Sequence, residues 1–256
     1  MKPITLNNDC LTTKIYPTVV EMGEGAAKEA ADCICALLAE KEEINMIFAA
    51  APSQNAFLES LIADERIDWS RINAFHMDEY IGLPADAPQG FGNFLRARIF
   101  ERVPFKQVYY INGAAEDLDA ECARYTALLA EHPTDIVCMG IGENGHIAFN
   151  DPHVAEFNDP KWVKVVSLDQ MCRQQQVNDK CFETIDQVPT HALTLTIPTL
   201  MRPEWVFCIV PYTGKANAVK ATVEGEICEQ CPASILRKKE KSCLYLDADS
   251  ASKLNY

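Results

Sequence analysis

Residues 140–152, GIGENGHIAFNDP, set one histidine among three glycines, two amides and two carboxylates within thirteen positions. A histidine near a carboxylate is equipment for acid–base catalysis, because the acid can fix which ring nitrogen carries the proton. A lone histidine is by default a hydrogen-bonded core residue, but the flanking glycines and amides, with Asp151 five positions on, favour a catalytic His146. A second acidic pair, Asp78 and Glu79, ends an apolar run at 72–77. It either terminates a strand or supplies a base whose pKa is raised by partial desolvation, which suits removal of a proton next to a carbonyl.

Lys215 follows Gly214 where a helical pattern begins. A cation there opposes the helix dipole unless an anion binds as well, and a phosphate would resolve the conflict. Arg173 is a second candidate for phosphate oxygens, equally readable as a solvated surface charge. The glycines also fit a dinucleotide fingerprint, Gly140-x-Gly142-x-x-Gly145. That fingerprint needs a helix at its third glycine and an acid about 20 residues later, whereas Pro152 comes seven residues after Gly145 and the pattern falls late in the chain. Gly142 and Gly145 are therefore read as letting backbone approach a small ligand.

These groups need a scaffold, and the chain supplies a repeating rhythm of strand, polar turn and helix. Helical spacing covers 24–41, 56–62, 91–102, 118–129 and 215–223, while short apolar runs at 44–50, 72–77, 108–111, 135–139 and 205–210 read as buried strands. Ser53 or Asn55 is the expected N-cap of the second helix. The alternation predicts a single α/β domain over 1–256, Rossmann-like, with a mostly parallel sheet and helices on both faces. Ligands of such sheets bind beyond the strands' carboxyl ends, so the clusters at 52–55, 78–80, 142–151 and 212–215 should meet at one crevice. The polar stretch 153–188 is the least regular and is expected to act as a mobile flap over that crevice.

A net charge of −14 argues against nucleic acid, no apolar run spans a bilayer, and the N-terminus lacks a secretory pattern, so a cytoplasmic protein is expected. The eleven cysteines are irregularly spaced, many inside apolar segments, and are read as small buried hydrophobes. Cys228-Glu-Gln-Cys231 lacks a second ligand pair, so no metal is expected.

Met77-Asp-Glu-Tyr-Ile-Gly-Leu83 together with residues 140–152 resembles the glucosamine-6-phosphate deaminases, and the likeness continues through Asp186-Gln-Val-Pro189, Ala192-Leu-Thr194, Gly214-Lys215 and Val223-Glu-Gly225. The related 6-phosphogluconolactonases usually read Asp-Glu-Arg where this chain has Asp-Glu-Tyr80. The resemblance implies an aldose–ketose isomerisation with loss of ammonia in amino-sugar metabolism downstream of N-acetylglucosamine, without a cofactor. It assigns ring opening to His146, proton transfer from C2 to C1 to Asp78, and tuning of His146 to Asn144 and Asp151. Ser53, Arg173 and Lys215 would hold the phosphate, with Glu79, Gly142 and Gly145 beside the substrate.

Three departures stand out. Asp151 replaces the family's usual Glu, so its reach to His146 is expected to need a water or a backbone shift. Ala51-Pro-Ser-Gln-Asn55 replaces a glycine-rich phosphate loop, and Asn144 replaces an acid found in some relatives. The expected partner is an amino-sugar phosphate, either glucosamine or galactosamine 6-phosphate, with a homo-oligomer left open. A non-catalytic sugar-phosphate binding module is the competing reading. The segment after Asp151 lacks the allosteric residues of some relatives, so a hyperbolic rate curve is expected.

Overall fold

Strands that are apolar at every position need cover on both faces, and here they occupy the middle of a sheet. The computed structural model describes residues 2–256. Its chain opens with β1 (Ile4–Asn8), β2 (Leu11–Tyr16), α1 (Val19–Glu40), β3 (Ile44–Phe48), α2 (Asn55–Ile62), β4 (Ile72–His76) and β5 (Asp78–Tyr80). It continues through α3 (Phe91–Leu95), β6 (Gln107–Tyr109), α4 (Leu118–Glu131), β7 (Ile136–Met139), β8 (Val163–Ser167) and α5 (Gln170–Asn178). Last come β9 (His191–Leu195), α6 (Ile197–Leu200), β10 (Trp205–Val210), α7 (Ala216–Glu224) and β11 (Ser242–Asp247).

Eight strands form one sheet in the order β1-β2-β11-β10-β7-β3-β4-β6, parallel throughout except for the β1–β2 pair. Alternation along the strands divides the interior in two. Met46, Phe48, Cys138 and Ile209 pack with α1, α2 and α3, whereas Ile47, Val137, Met139 and Cys208 pack with α4 and α7. The α/β architecture with helices on both faces is thus as expected from the alternating pattern.

Several boundaries differ for local reasons. α1 begins five residues earlier than its apolar periodicity suggests, because Thr18 caps it by accepting from the Glu21 N–H. Gly23 lies so close to α2 that a Cβ would stand 2.7 Å from the Ala56 carbonyl carbon. Neither Ser53 nor Asn55 caps α2, since a 3₁₀ turn at Pro52–Gln54 feeds directly into it. α3 runs on through a π-helical turn at Arg96–Phe100.

The larger difference is a second sheet, antiparallel, in the order β5-β9-β8. The stretch 153–188, read as irregular, contains β8 and α5, and β8 pairs with β9 over five residues. Among the described residues all eleven cysteines are free, with Cys138, Cys172, Cys208 and Cys231 buried and Cys10 exposed. No helix among them is long and apolar enough to cross a membrane.

Candidate active site

β10, β7, β3 and β4 are neighbours in that order, and the chain leaving their carboxyl ends lines one cleft. Ser53 and Gln54 arrive after β3, Asp78 after β4, Gly140, Gly142 and His146 after β7, and Lys215 after β10. The chain order reverses direction across the sheet between β3 and β7, the kind of position where open α/β sheets place ligands. The cleft encloses about 60 Å³ and continues past Gln176 into a groove of about 240 Å³.

Gly142 makes room for the histidine: a Cβ there would fall 2.1 to 2.3 Å from the His146 ring atoms. The His146 Nδ1 lies 2.7 Å from Asn144 Oδ1 and 3.0 Å from Asp151 Oδ1, so both acceptors call for a hydrogen on Nδ1. Asn144 in turn donates through Nδ2 to Asp151 Oδ1 and to Asp169 Oδ2, each at 2.9 Å. Asp151 therefore reaches the ring directly, with no water or backbone shift needed for its shorter side chain. Burial opposes ionisation of Asp151, but hydrogen bonds from His146, Asn144 and the Asp169 N–H outweigh it and hold the carboxyl below its usual range.

The loop carrying these groups is pinned to the small sheet. Phe149 N–H donates to Thr194 Oγ1 at 3.1 Å, and Asn150 Nδ2 bridges the Ile147 and Leu195 carbonyls at 2.9 Å each. Gly145, at φ +85°, shapes the turn by donating to the Gly142 carbonyl, and it backs onto Cys231 instead of lining the cleft. An isolated bridge between Ile147 and Asn150 follows it where a dinucleotide fold would have a helix.

Asp78 sits on β5, opposite Thr194, with its backbone carbonyl 2.9 Å from His76 Nδ1. Burial pushes its carboxyl well above the usual range, and the neighbouring Glu79 adds to the rise. Glu79, expected beside the substrate, points elsewhere because successive strand residues face opposite ways. Its carboxylate accepts the N–H groups of Tyr80, Phe91 and Gly92, bracing the start of α3. Tyr80 is buried among Phe91, Phe149 and Phe182, and its hydroxyl has no hydrogen-bond partner among the described residues.

Lys215 is buried, which draws its ammonium pKa down against the pull of Asp179 and Glu143. Arg173, the expected phosphate fork, does not line the cleft: its guanidinium donates to the Ile185 and Val188 carbonyls. Lys180 lines the adjoining groove with Ala51, Pro52 and Gln176. It holds φ +62° just past the end of α5, a conformation that costs a non-glycine residue energy.

Gln54, part of the 52–55 cluster expected at the crevice, has a role that its sequence position does not reveal. It is buried, and its Nε2 donates to the Ile209 carbonyl at 3.1 Å, tying the first loop to β10. The His146, Asp151 and Cys172 donor atoms lie within 4.8 Å of one another. His146 and Asp151 already engage each other through Nδ1, and burial pushes the Cys172 thiol well above its usual range.

A family model described as glucosamine-6-phosphate isomerases/6-phosphogluconolactonase matches residues 17–245. A Bacillus cereus glucosamine-6-phosphate deaminase is 38% identical over 187 residues, 73% of this chain and 70% of the relative. A Bacillus anthracis glucosamine-6-phosphate deaminase is 37% identical over the same shares. The solved structure of a monomeric glucosamine-6-phosphate deaminase superposes with a TM-score of 0.85 at 32% identity, covering 94% of this chain and 98% of that one. A Thermotoga maritima 6-phosphogluconolactonase, at TM-score 0.75 and 18% identity over 93% of this chain and 99% of its own, shares the fold. With the match spanning most of the sequence and the cleft assembled at the sheet's switch point, the chain belongs to the glucosamine-6-phosphate isomerase/6-phosphogluconolactonase family.

Proposed function

We propose that this protein is a glucosamine-6-phosphate deaminase, converting glucosamine 6-phosphate and water to fructose 6-phosphate and ammonia. The observation that carries the reading is a desolvated carboxyl, Asp78, facing the same cleft as an imidazole whose Nδ1 is engaged from behind. A buried carboxylate suits removal of a carbon-bound proton, because desolvation strengthens it as a base, and Tyr80 stands where the lactonases usually carry Arg.

In this reading His146 Nε2 takes the proton of the C1 hydroxyl and returns it to the ring oxygen, opening the ring. Asp78 takes the C2 proton, the C–H electron pair becomes the C1–C2 double bond, and O1 takes the proton that the C2 ammonium gives up. Asp78 then protonates C1, leaving an imine at C2. Water adds to C2 and ammonia departs. Ser53 and Lys215 hold the phosphate, with Lys180 closing over it in place of Arg173.

Gln176 on α5 stands between the cleft of about 60 Å³ and the adjoining groove of about 240 Å³, so in this reading an outward movement of α5 joins the two to admit substrate. That motion narrows the flap expected over 153–188 to α5, since β8 is held in the small sheet.

The test is to assay ammonia and fructose 6-phosphate from glucosamine 6-phosphate between about pH 6 and 9, bracketing the histidine and amine ranges. Galactosamine 6-phosphate and 6-phosphogluconolactone are the comparison substrates. Ammonia release from glucosamine 6-phosphate supports the reading. Lactone hydrolysis without ammonia, or thermal stabilisation by sugar phosphates without turnover, overturns it.

A further inference from the structure

We propose that Asp169 is a positioning residue for ring opening, acting through the Asn144 amide on the His146 imidazole, a role that rests on the deaminase reading above. Asp169 does not line the cleft, and nothing in its sequence surroundings sets it apart from an ordinary helix cap. Its contacts do. One carboxylate oxygen caps α5 by accepting the Cys172 N–H at 2.6 Å, the other accepts from Asn144 Nδ2 at 2.9 Å, and its own N–H donates to Asp151 Oδ2 at 3.1 Å.

Both amide hydrogens of Asn144 are thereby given to carboxylates, one to Asp151 and one to Asp169. An asparagine amide is nearly symmetric in shape, so its partners decide which end is oxygen. Turning this one over would set Oδ1 against two carboxylate oxygens. Held as it is, Oδ1 faces the His146 Nδ1 at 2.7 Å and the His146 backbone N–H at 3.1 Å. The hydrogen therefore stays on Nδ1, and Nε2 is left as the acceptor that ring opening requires. When Nε2 takes the sugar proton the ring becomes cationic. Two anions then stand behind it, Asp151 in contact and Asp169 relayed by the polarised amide.

Two substitutions separate this role from helix capping. Asp169→Asn keeps a cap acceptor for Cys172 N–H but turns an NH₂ onto the NH₂ of Asn144, donor against donor. Asp169→Ser keeps a capping hydroxyl and leaves the Asn144 hydrogen without its carboxylate. Each is expected to lower kcat for deamination by about tenfold or more, within the range of one acid–base group, with KM little changed. The isotope effect from deuterium at C2 of glucosamine 6-phosphate should shrink towards unity, because ring opening has become the slow step.

In parallel, long-range proton–nitrogen NMR spectra of the His146 ring should show a single Nδ1–H tautomer in the wild type and a mixture in Asp169→Asn. A reduced rate with an undiminished isotope effect, or one tautomer in both proteins, overturns the proposal. Where the wild type releases no ammonia from glucosamine 6-phosphate, it is the deaminase reading that fails. The ring spectra, which need no substrate, then decide on Asp169 alone.

Discussion

The two sheets divide the labour of the cleft along different physical lines. In the eight-stranded sheet β3 and β7 are buried at every position, and the sheet's contribution is to end at the right place: Ser53, Gly140 and Lys215 follow β3, β7 and β10. The three-stranded sheet is short and antiparallel, and it brings cleft groups from within its strands. Asp78 lies on β5, and Thr194 on β9 anchors the loop that bears His146 and Asp151. In the deaminase reading the large sheet places the substrate and the small one holds the groups that move protons. Stability and catalysis should therefore respond separately to changes in the two.

Asp78→Asn is the strongest test of that separation. Turnover and exchange of the C2 proton with solvent should fall by about 10² to 10⁴-fold, the range of a general base. Yet the variant should gain stability at neutral pH. Folding raises the pKa of Asp78, so ionising the carboxyl that acts as base costs stability, which drains away as pH rises from about 4. Asparagine removes that loss. Urea unfolding at pH 7 and pH 4 checks it, and equal stability of the two proteins at both would break the comparison.

In the large sheet Ile47→Ala, on the α4 and α7 side of β3, should cost about 2 to 5 kcal/mol of stability and leave kcat of the folded fraction nearly unchanged. A comparable fall in kcat below the melting transition would show that the sheets are not separable. His76 joins the two sheets at the end of β4, buried and neutral, with its Nε2 accepting from the Ile111 N–H and its Nδ1 on the Asp78 carbonyl. Burial lowers its pKa from 6.5 to about 4. Its contribution is complete above pH 6.5 and is lost as pH falls through about 4, a change of roughly 3 kcal/mol. Acid unfolding of the wild type and of His76→Gln, compared over that interval, measures it.

Thr194→Val should cost about 1 to 3 kcal/mol by orphaning the Phe149 N–H, and, unlike Ile47→Ala, it should also depress kcat through the His146 loop. Smallest is Lys180→Gly: relief of the positive φ should add up to about 1 kcal/mol of stability while affinity for inorganic phosphate falls. Calorimetry with phosphate and a thermal melt read both halves.

The large sheet could be read from sequence because burial on both faces leaves an uninterrupted apolar run, and because each polar cluster follows such a run. The small sheet could not. Asp78-Glu-Tyr80 looks like a turn until its pairing with β9, more than a hundred residues away, is known. Without that pairing nothing in the sequence sets Asp78 and Glu79 on opposite faces, and the two read as one acidic pair. Arg173 drew notice by its charge, although its guanidinium closes a loop at 185–188. Lys180 was invisible because only the left-handed turn after α5 aims it at the groove. The histidine loop stood out because so many functional groups fall within a few positions, whereas Asp169 reaches it only through the fold.

Free cysteines in both halves of the molecule have a practical consequence. Cys138 and Cys208 lie in β7 and β10 and Cys172 in α5, all buried and all with thiol pKa values pushed up by burial, while Cys10 is exposed. A thiol reagent must wait for the surrounding structure to open before it reaches the first three, and Cys10 calibrates its intrinsic reactivity. The order in which they are labelled in one native sample thus times the parting of the parallel strands against the lifting of α5, with no engineered probe.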